Sequence, residues 1–293
     1  MKHKPNLDAK LKHGLYRTGR SIDTKLLHSG RLAQQNWTSI PQVFIVSTGR
    51  TGTLFFTKYY NLFPGLRSLH EPRPDFKELA IEYAQGRVTV DTAVREIERN
   101  RRPHYRELRR RGIRLYIESN NRYFSLLKPL RVAFPHCKIV YIVRDGRDYV
   151  RSGLSRNWYT AGDQEPRLRA DMFPGDPWSD QWRHMDRFQK IAWRWCKKDG
   201  FIWQDFQELD NALKVTFEDI FLDPGKKGLY RINRFIGISD EETTRYLKRM
   251  GSRKVNTNAE KPIPKWNKWD AEMMRKFDDI AGVHWKVHYG SRE

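Results

Sequence analysis

Apolar residues in this chain fall into two kinds of run. Short, β-rich bursts alternate with longer stretches in which apolar side chains recur every three or four positions. The first burst, VFIVS (residues 43–47), ends in Thr, Gly and Arg and predicts a buried strand. Leu54, Phe55, Tyr59, Leu62 and Phe63 then follow at near-helical spacing, which gives strand, tight loop and helix in succession. LRSLHEP (residues 66–72) predicts a second strand stopped by Pro72. Residues 76–111 predict a highly charged helical stretch, IRLYIE (113–118) a third strand, and residues 123–134 a helix. KIVYIV (138–143) has the strongest strand pattern, with a helix expected over 148–158. A loop rich in Pro, Gly and Asp (162–180) precedes a long helix expected over 181–206. ALKVTFED (212–219) predicts a further strand, and helices fill most of the rest.

Strands alternating with helices imply an α/β fold: one domain with a mainly parallel central sheet flanked by helices. The boundaries expected are a polar, basic N-terminal extension over residues 1–40 and a single domain over 41–293. The first strand, loop and helix have the P-loop-like form that binds phosphate.

Composition narrows the function. With 38% hydrophobic and 13% aromatic residues, the chain can bury a sizeable core. Its formal charge of +21 concentrates anionic ligands near the surface without saying which. Two cysteines, Cys137 and Cys196, give neither a disulfide framework nor zinc spacing and suit a reducing compartment. No stretch has the length and apolarity of a membrane span, and the basic N-terminus lacks the apolar core of a signal peptide. These features predict a cytoplasmic protein.

Two segments carry candidate chemistry. STGRTGT (residues 47–53) lies between strand and helix, where free N–H groups and a Gly-rich turn can close on an anion. An ordinary turn with a capping Thr is the other reading. It is not a Walker A loop: only two residues separate Gly49 from Gly52, and no Lys precedes the Ser/Thr. The second segment is IVRDGRDYVRSG (residues 142–153). Arg144 follows a central strand, where open α/β sheets bind ligands, and Ser152 lies eight residues on, in the next helix. Both could hold one phosphate; alternatively Arg144, Asp145, Arg147 and Asp148 form a surface salt-bridge cluster.

Taken together, these segments resemble the PAPS-dependent sulfotransferase family (PAPS is 3′-phosphoadenosine 5′-phosphosulfate). The pattern is nearest its carbohydrate and tyrosylprotein branches. The likeness runs over residues 41–289 and includes FPHCKIVYIVRD, VTFEDIFLDP followed by RFIGI, and the tail VNTN…PKWNKWDAE…IAGVHWKVHYG. The resemblance implies that Arg50, Thr51, Gly52 and Thr53 hold the 5′-phosphosulfate, and that Arg144 and Ser152 hold the 3′-phosphate. It also implies that Arg253, Lys254 and Asn256 close over the 3′-phosphate. A catalytic Glu is expected about where HEP (residues 70–72) stands, which makes Glu71 the base, with His70 as rival. Arg50 is expected to stabilise the departing phosphate. No metal is expected.

The chain departs from the family at one point. Many relatives show E-K-x-P after the third strand, whereas Glu118, Ser119, Asn120 and Asn121 stand here. A donor from Arg122, Ser119 or Asn120 is expected to replace the missing Lys. The acceptor expected is a hydroxyl, with carbohydrate favoured over peptide tyrosine or a small molecule. Rival readings are a nucleotide-dependent kinase with a degenerate P-loop, a binding-only relative, and a basic nucleic-acid-binding protein. The last lacks any helix-turn-helix, zinc or RNA-recognition signature. Trp193 and Trp195 are expected in the core, Trp266 and Trp269 in packing or an acceptor wall, and residues 106–114 on a solvated helix face.

Overall fold

The computed structural model describes residues 39–251 and 263–290. Five strands, β1 (Gln42–Ser47), β2 (Leu66–His70), β3 (Leu115–Ser119), β4 (Lys138–Val143) and β5 (Ala212–Thr216), form a sheet in the order β2-β3-β1-β4-β5. Every neighbouring pair is parallel. β1 is therefore central, and all six of its residues are buried, as its unbroken apolar run requires. Alternate side chains feed two cores. Val43, Ile45, Val140 and Ile142 pack with Tyr59, Tyr60, Leu229 and Ile232 on one face. Phe44, Val46, Ile139 and Tyr141 pack with Leu130, Phe134, Ile191 and Trp195 on the other. No helix among the described residues is long and apolar enough to cross a membrane.

Side-chain caps account for the boundaries that hydrophobic spacing misplaces. The Asp186 carboxylate accepts from the Gln189 N–H, so the long helix begins at Arg187, not at 181. Thr216 accepts from the Asp219 N–H and turns VTFED into the short helix Phe217–Phe221, ending β5 early. Asp145 accepts from the Arg147 N–H and starts the next helix at Gly146, where it runs to Leu154. The expected stretch 76–111 is two helices, Lys77–Ala84 and Val90–Arg110, parted by Gly86 at φ +70°. Trp193 and Trp195 are buried as expected, and Trp269 packs edge-on against Phe188. Residues 109–111 are exposed to solvent.

One buried ion pair fixes the chain beside β2. On the helix Val90–Arg110, the core-facing positions are Ala93, Ile97, Arg101, Tyr105 and Leu108. Arg101 thus sits among apolar neighbours and grips Glu118 with Nε at 3.0 Å and Nη2 at 2.8 Å. Its remaining donors reach the carbonyls of Pro72 and Pro74, just past the candidate base. Burial alone would raise the Glu118 pKa; the Arg101 charge and hydrogen bonds from Arg101, Tyr123 and Tyr116 outweigh it and hold the group below its ordinary value. The pair's stabilisation is therefore present above the usual carboxylate range and lost as pH falls through the lowered pKa of Glu118. Arg101→Met is expected to cost about 3–5 kcal/mol, because it strands the Glu118 charge. Urea denaturation at neutral pH measures this.

Candidate active site

The site lies at the carboxyl ends of β1, β2, β3 and β4. The loop after β1 is a chain of left-handed residues: Gly49, Arg50 and Gly52 have φ of +98°, +59° and +69°. Such a turn points successive N–H groups into one concavity. A Cβ on Gly52 would meet the Phe221 ring at 2.9 Å, so glycine is required there for packing as well as for backbone. Inside the loop, Ser47 Oγ accepts from the Gly49 N–H at 3.2 Å and from the Thr51 hydroxyl at 2.8 Å. Thr51 and Thr53 are buried beside it. Arg50 is not glycine, and a left-handed conformation costs such a residue roughly 1–3 kcal/mol. Glu71, at φ +44°, carries the same kind of strain.

The two segments singled out in the sequence meet. Arg50 Nε donates to Ser152 Oγ at 3.0 Å, and Arg144 Nη1 donates to the Arg50 main-chain carbonyl. The RDGRD cluster splits instead of forming one surface network. Asp145 and Arg147 pair at 2.7 Å, with the Arg147 guanidinium between the rings of Trp266 at 3.6 Å and Trp285 at 4.2 Å. Arg144 turns the other way and lies 4.4 Å over the Phe217 ring. Its Nε is buried with no hydrogen-bond partner, and burial pushes its guanidinium down against the opposing pull of Asp148 and Glu218. Burial, then Arg156 and Arg144, push Arg50 down to about 10. Both groups stay charged at neutral pH and lie close together, with Asp148 and Glu218 offsetting part of the Arg144 charge. An anion with phosphates at its two ends fits this donor set.

Glu71 follows β2, with its N–H on the Ser119 carbonyl at 3.0 Å. Its carboxylate Oε1 accepts from Asn121 Nδ2. The His70 Nδ1 lies 3.2 Å from the Ser119 carbonyl and 3.1 Å from Ser119 Oγ, so that side of the ring is engaged. Ser119 and Asn120 are wholly buried. Ser119 Oγ donates to the Thr53 carbonyl at 3.3 Å, while Asn120 caps Arg122 N and reaches Glu118. Arg122 faces Asp75 at 3.8 Å. Arg253, Lys254 and Asn256 lie outside the described residues, as does nearly all of the N-terminal extension.

The group that sequence reasoning missed is Lys198, on the helix Arg187–Phe206. Its Nζ donates to the Thr48 carbonyl at 2.8 Å, and to Asn121 O at 2.9 Å and Oδ1 at 3.3 Å. Ile191, Trp195, Lys198 and Ile202 share the buried stripe of this helix. A cation on that stripe is the signal that could have found it.

A second cluster is centred on Asp199 of the same helix. His284 and His288 place Nε2 at 2.7 and 2.6 Å from Asp199 Oδ2, and Tyr141 donates to Oδ1. These are hydrogen-bond lengths, shorter than the ~3.3 Å separating ligands tetrahedrally placed at 2.0–2.1 Å from a metal. The cluster clamps the C-terminal helix Val283–Tyr289 to the fold.

The sulfotransferase domain family model matches residues 40–288. Among solved structures, the chain is similar to a mouse sulfotransferase complexed with PAP (17% identity, 86% of this chain and 92% of that one, TM-score 0.48). It is also similar to the sulfotransferase domain of a Synechococcus olefin synthase (16% identity, 82% and 94%, TM-score 0.43). A third likeness is to a sulfotransferase from Mycobacterium tuberculosis (12% identity, 90% and 84%, TM-score 0.49). No protein of curated function matches the sequence.

Proposed function

The chain belongs to the sulfotransferase domain family, and we propose that it moves the sulfuryl group of PAPS to an acceptor hydroxyl through the residues gathered at β1. PAPS is the family's donor and, when bound, supplies an activated sulfuryl group on a phosphate that can leave. In this reading, Arg50, Thr51, Gly52 and Thr53 hold the 5′-phosphosulfate, and Arg144 and Ser152 the 3′-phosphate. The observation that carries it is the convergence of Arg50, Arg144 and Ser152 in one basic cluster beside a strained loop.

Glu71 takes the proton of the acceptor hydroxyl as its oxygen bonds to sulfur and the bond from sulfur to the phosphate oxygen breaks. Arg50 and the loop N–H groups meet the charge that develops on that oxygen. His70 is the second candidate base, through the ring nitrogen turned away from Ser119. A carbohydrate hydroxyl is the acceptor we favour. Support comes from the +21 formal charge, which draws anionic ligands such as acidic carbohydrates. Two free cysteines favour a reducing, cytoplasmic setting. An acceptor screen with sulfur-labelled PAPS tests the reading: label should pass to a hydroxyl compound, and ATP with magnesium should not replace the donor.

A further inference from the structure

The base proposed above is held by a side chain that is itself held. Asn121 donates through Nδ2 to Glu71 Oε1 and accepts through Oδ1 from Lys198 Nζ at 3.3 Å. An ammonium can only donate, so Lys198 dictates which end of the amide faces it. The nitrogen end is then left for the carboxylate. Asn121 packs directly against the phosphate loop, where a Cβ on Gly49 would lie at van der Waals distance, 3.4 Å, from its Cγ. We propose that Lys198 is a positioning residue for sulfuryl transfer, which orients Asn121 and, through it, the Glu71 carboxylate toward the acceptor. The inference rests on the sulfotransferase reading and on Glu71 as base.

Three observations carry it. First, Lys198 is only 1% exposed, yet no carboxylate forms an ion pair with it among the described residues. Its Nζ has three carbonyl oxygens as acceptors, those of Thr48 and Asn121 and the Asn121 amide, with the Phe124 ring 4.9 Å away. A buried cation held only by neutral groups is costly, and packing alone would be better served by an apolar residue on that helix stripe. Second, Glu71 holds a left-handed backbone, which persists only where surrounding contacts over-determine it. Its own N–H on Ser119 and the Asn121 amide supply such contacts. Third, two of the three residues expected to replace the family's loop lysine are engaged elsewhere, and the third, Arg122, faces Asp75 at 3.8 Å. Ser119 and Asn120 are buried and hydrogen-bonded within the sheet end. Lys198 reaches the same neighbourhood from a helix that follows β4 by more than forty residues.

The net electrostatics disfavour the ammonium, and what holds Nζ as a donor is geometry: the three oxygens around it are all carbonyl acceptors. Burial, Arg194 on the same helix and Arg122 on the turn after β3 push the Lys198 pKa well below its ordinary value. Arg167 adds to this, and Glu71 opposes it.

A set of variants read by kinetics and by PAP calorimetry tests the relay. Lys198→Met is expected to lower kcat about tenfold or more, with KM for PAPS and Kd for PAP changed by no more than about twofold. Asn121→Ala leaves Lys198 its two main-chain carbonyls, so it preserves the fold and should lower kcat by a similar factor. The double variant should be no slower than the slower single one. Lys198→Met added to Glu71→Gln should cost nothing further. Full kcat in Asn121→Ala, multiplicative losses in either double variant, or loss of PAP binding in folded Lys198→Met would each overturn the relay. Where Lys198→Met does not fold, Asn121→Ala alone decides. Failure of the unmodified protein to bind PAP would instead strike the sulfotransferase reading.

Discussion

Glu71→Gln is expected to slow sulfuryl transfer by about 10²–10⁴-fold, the usual contribution of a positioned general base. Gln keeps the length and planarity of Glu but cannot take the acceptor's proton. It can still accept from Asn121 Nδ2 through its own carbonyl, so the left-handed turn at φ +44° keeps its support. The loss should therefore appear in kcat, with PAP binding unchanged. Full activity in this variant would transfer the role to His70, one residue earlier and on the same strand end.

Arg50→Ala is expected to damage both binding and chemistry. Its guanidinium is the group in the phosphate loop that reaches Ser152, and its main-chain carbonyl is held by Arg144. Removing a preorganised donor from a charge that grows in the transition state typically costs about 10²–10³-fold in rate. Loss of one buried charged partner of a bound phosphate costs about 2–5 kcal/mol in affinity. The unliganded protein should not suffer equally. Arg156 and Arg144 both push Arg50 down, to about 10 with burial acting first, so removing it relieves crowding of like charge. Thermal unfolding without ligand should show little change, while the stabilisation given by PAP should largely vanish. A large loss of unliganded stability would mean that Arg50 serves the fold before it serves an anion.

The sheet was legible because each strand is a short apolar run, and β1 and β4 alternate cleanly between two cores. The boundaries that went astray were set by single polar side chains, such as Asp186 and Thr216, whose capping outweighs hydrophobic spacing. The candidate site was legible as far as it is contiguous. The residues 47–53 form a loop on their own, and Arg144 with Ser152 needs only one strand-to-helix step. The support around Glu71 was hidden, because Asn121 and Lys198 come from different elements and meet only when the long helix packs against β1. Arg101 and Lys198 share one trace in the sequence: each is a cation on the apolar stripe of its helix. Arg101 has a buried carboxylate opposite it. Lys198 faces the site instead.

The proposed cradle at β1 would hold a nucleotide with phosphates at both ends. The most direct measurement is a calorimetric titration of the full chain with PAP, the desulfated form of the donor. Saturable binding at a single site is expected, with Kd in the micromolar range or tighter, about −8 kcal/mol or more favourable, weakened by Arg50→Ala and by Arg144→Ala. Absence of binding up to about millimolar PAP, or binding indifferent to both substitutions, would contradict it.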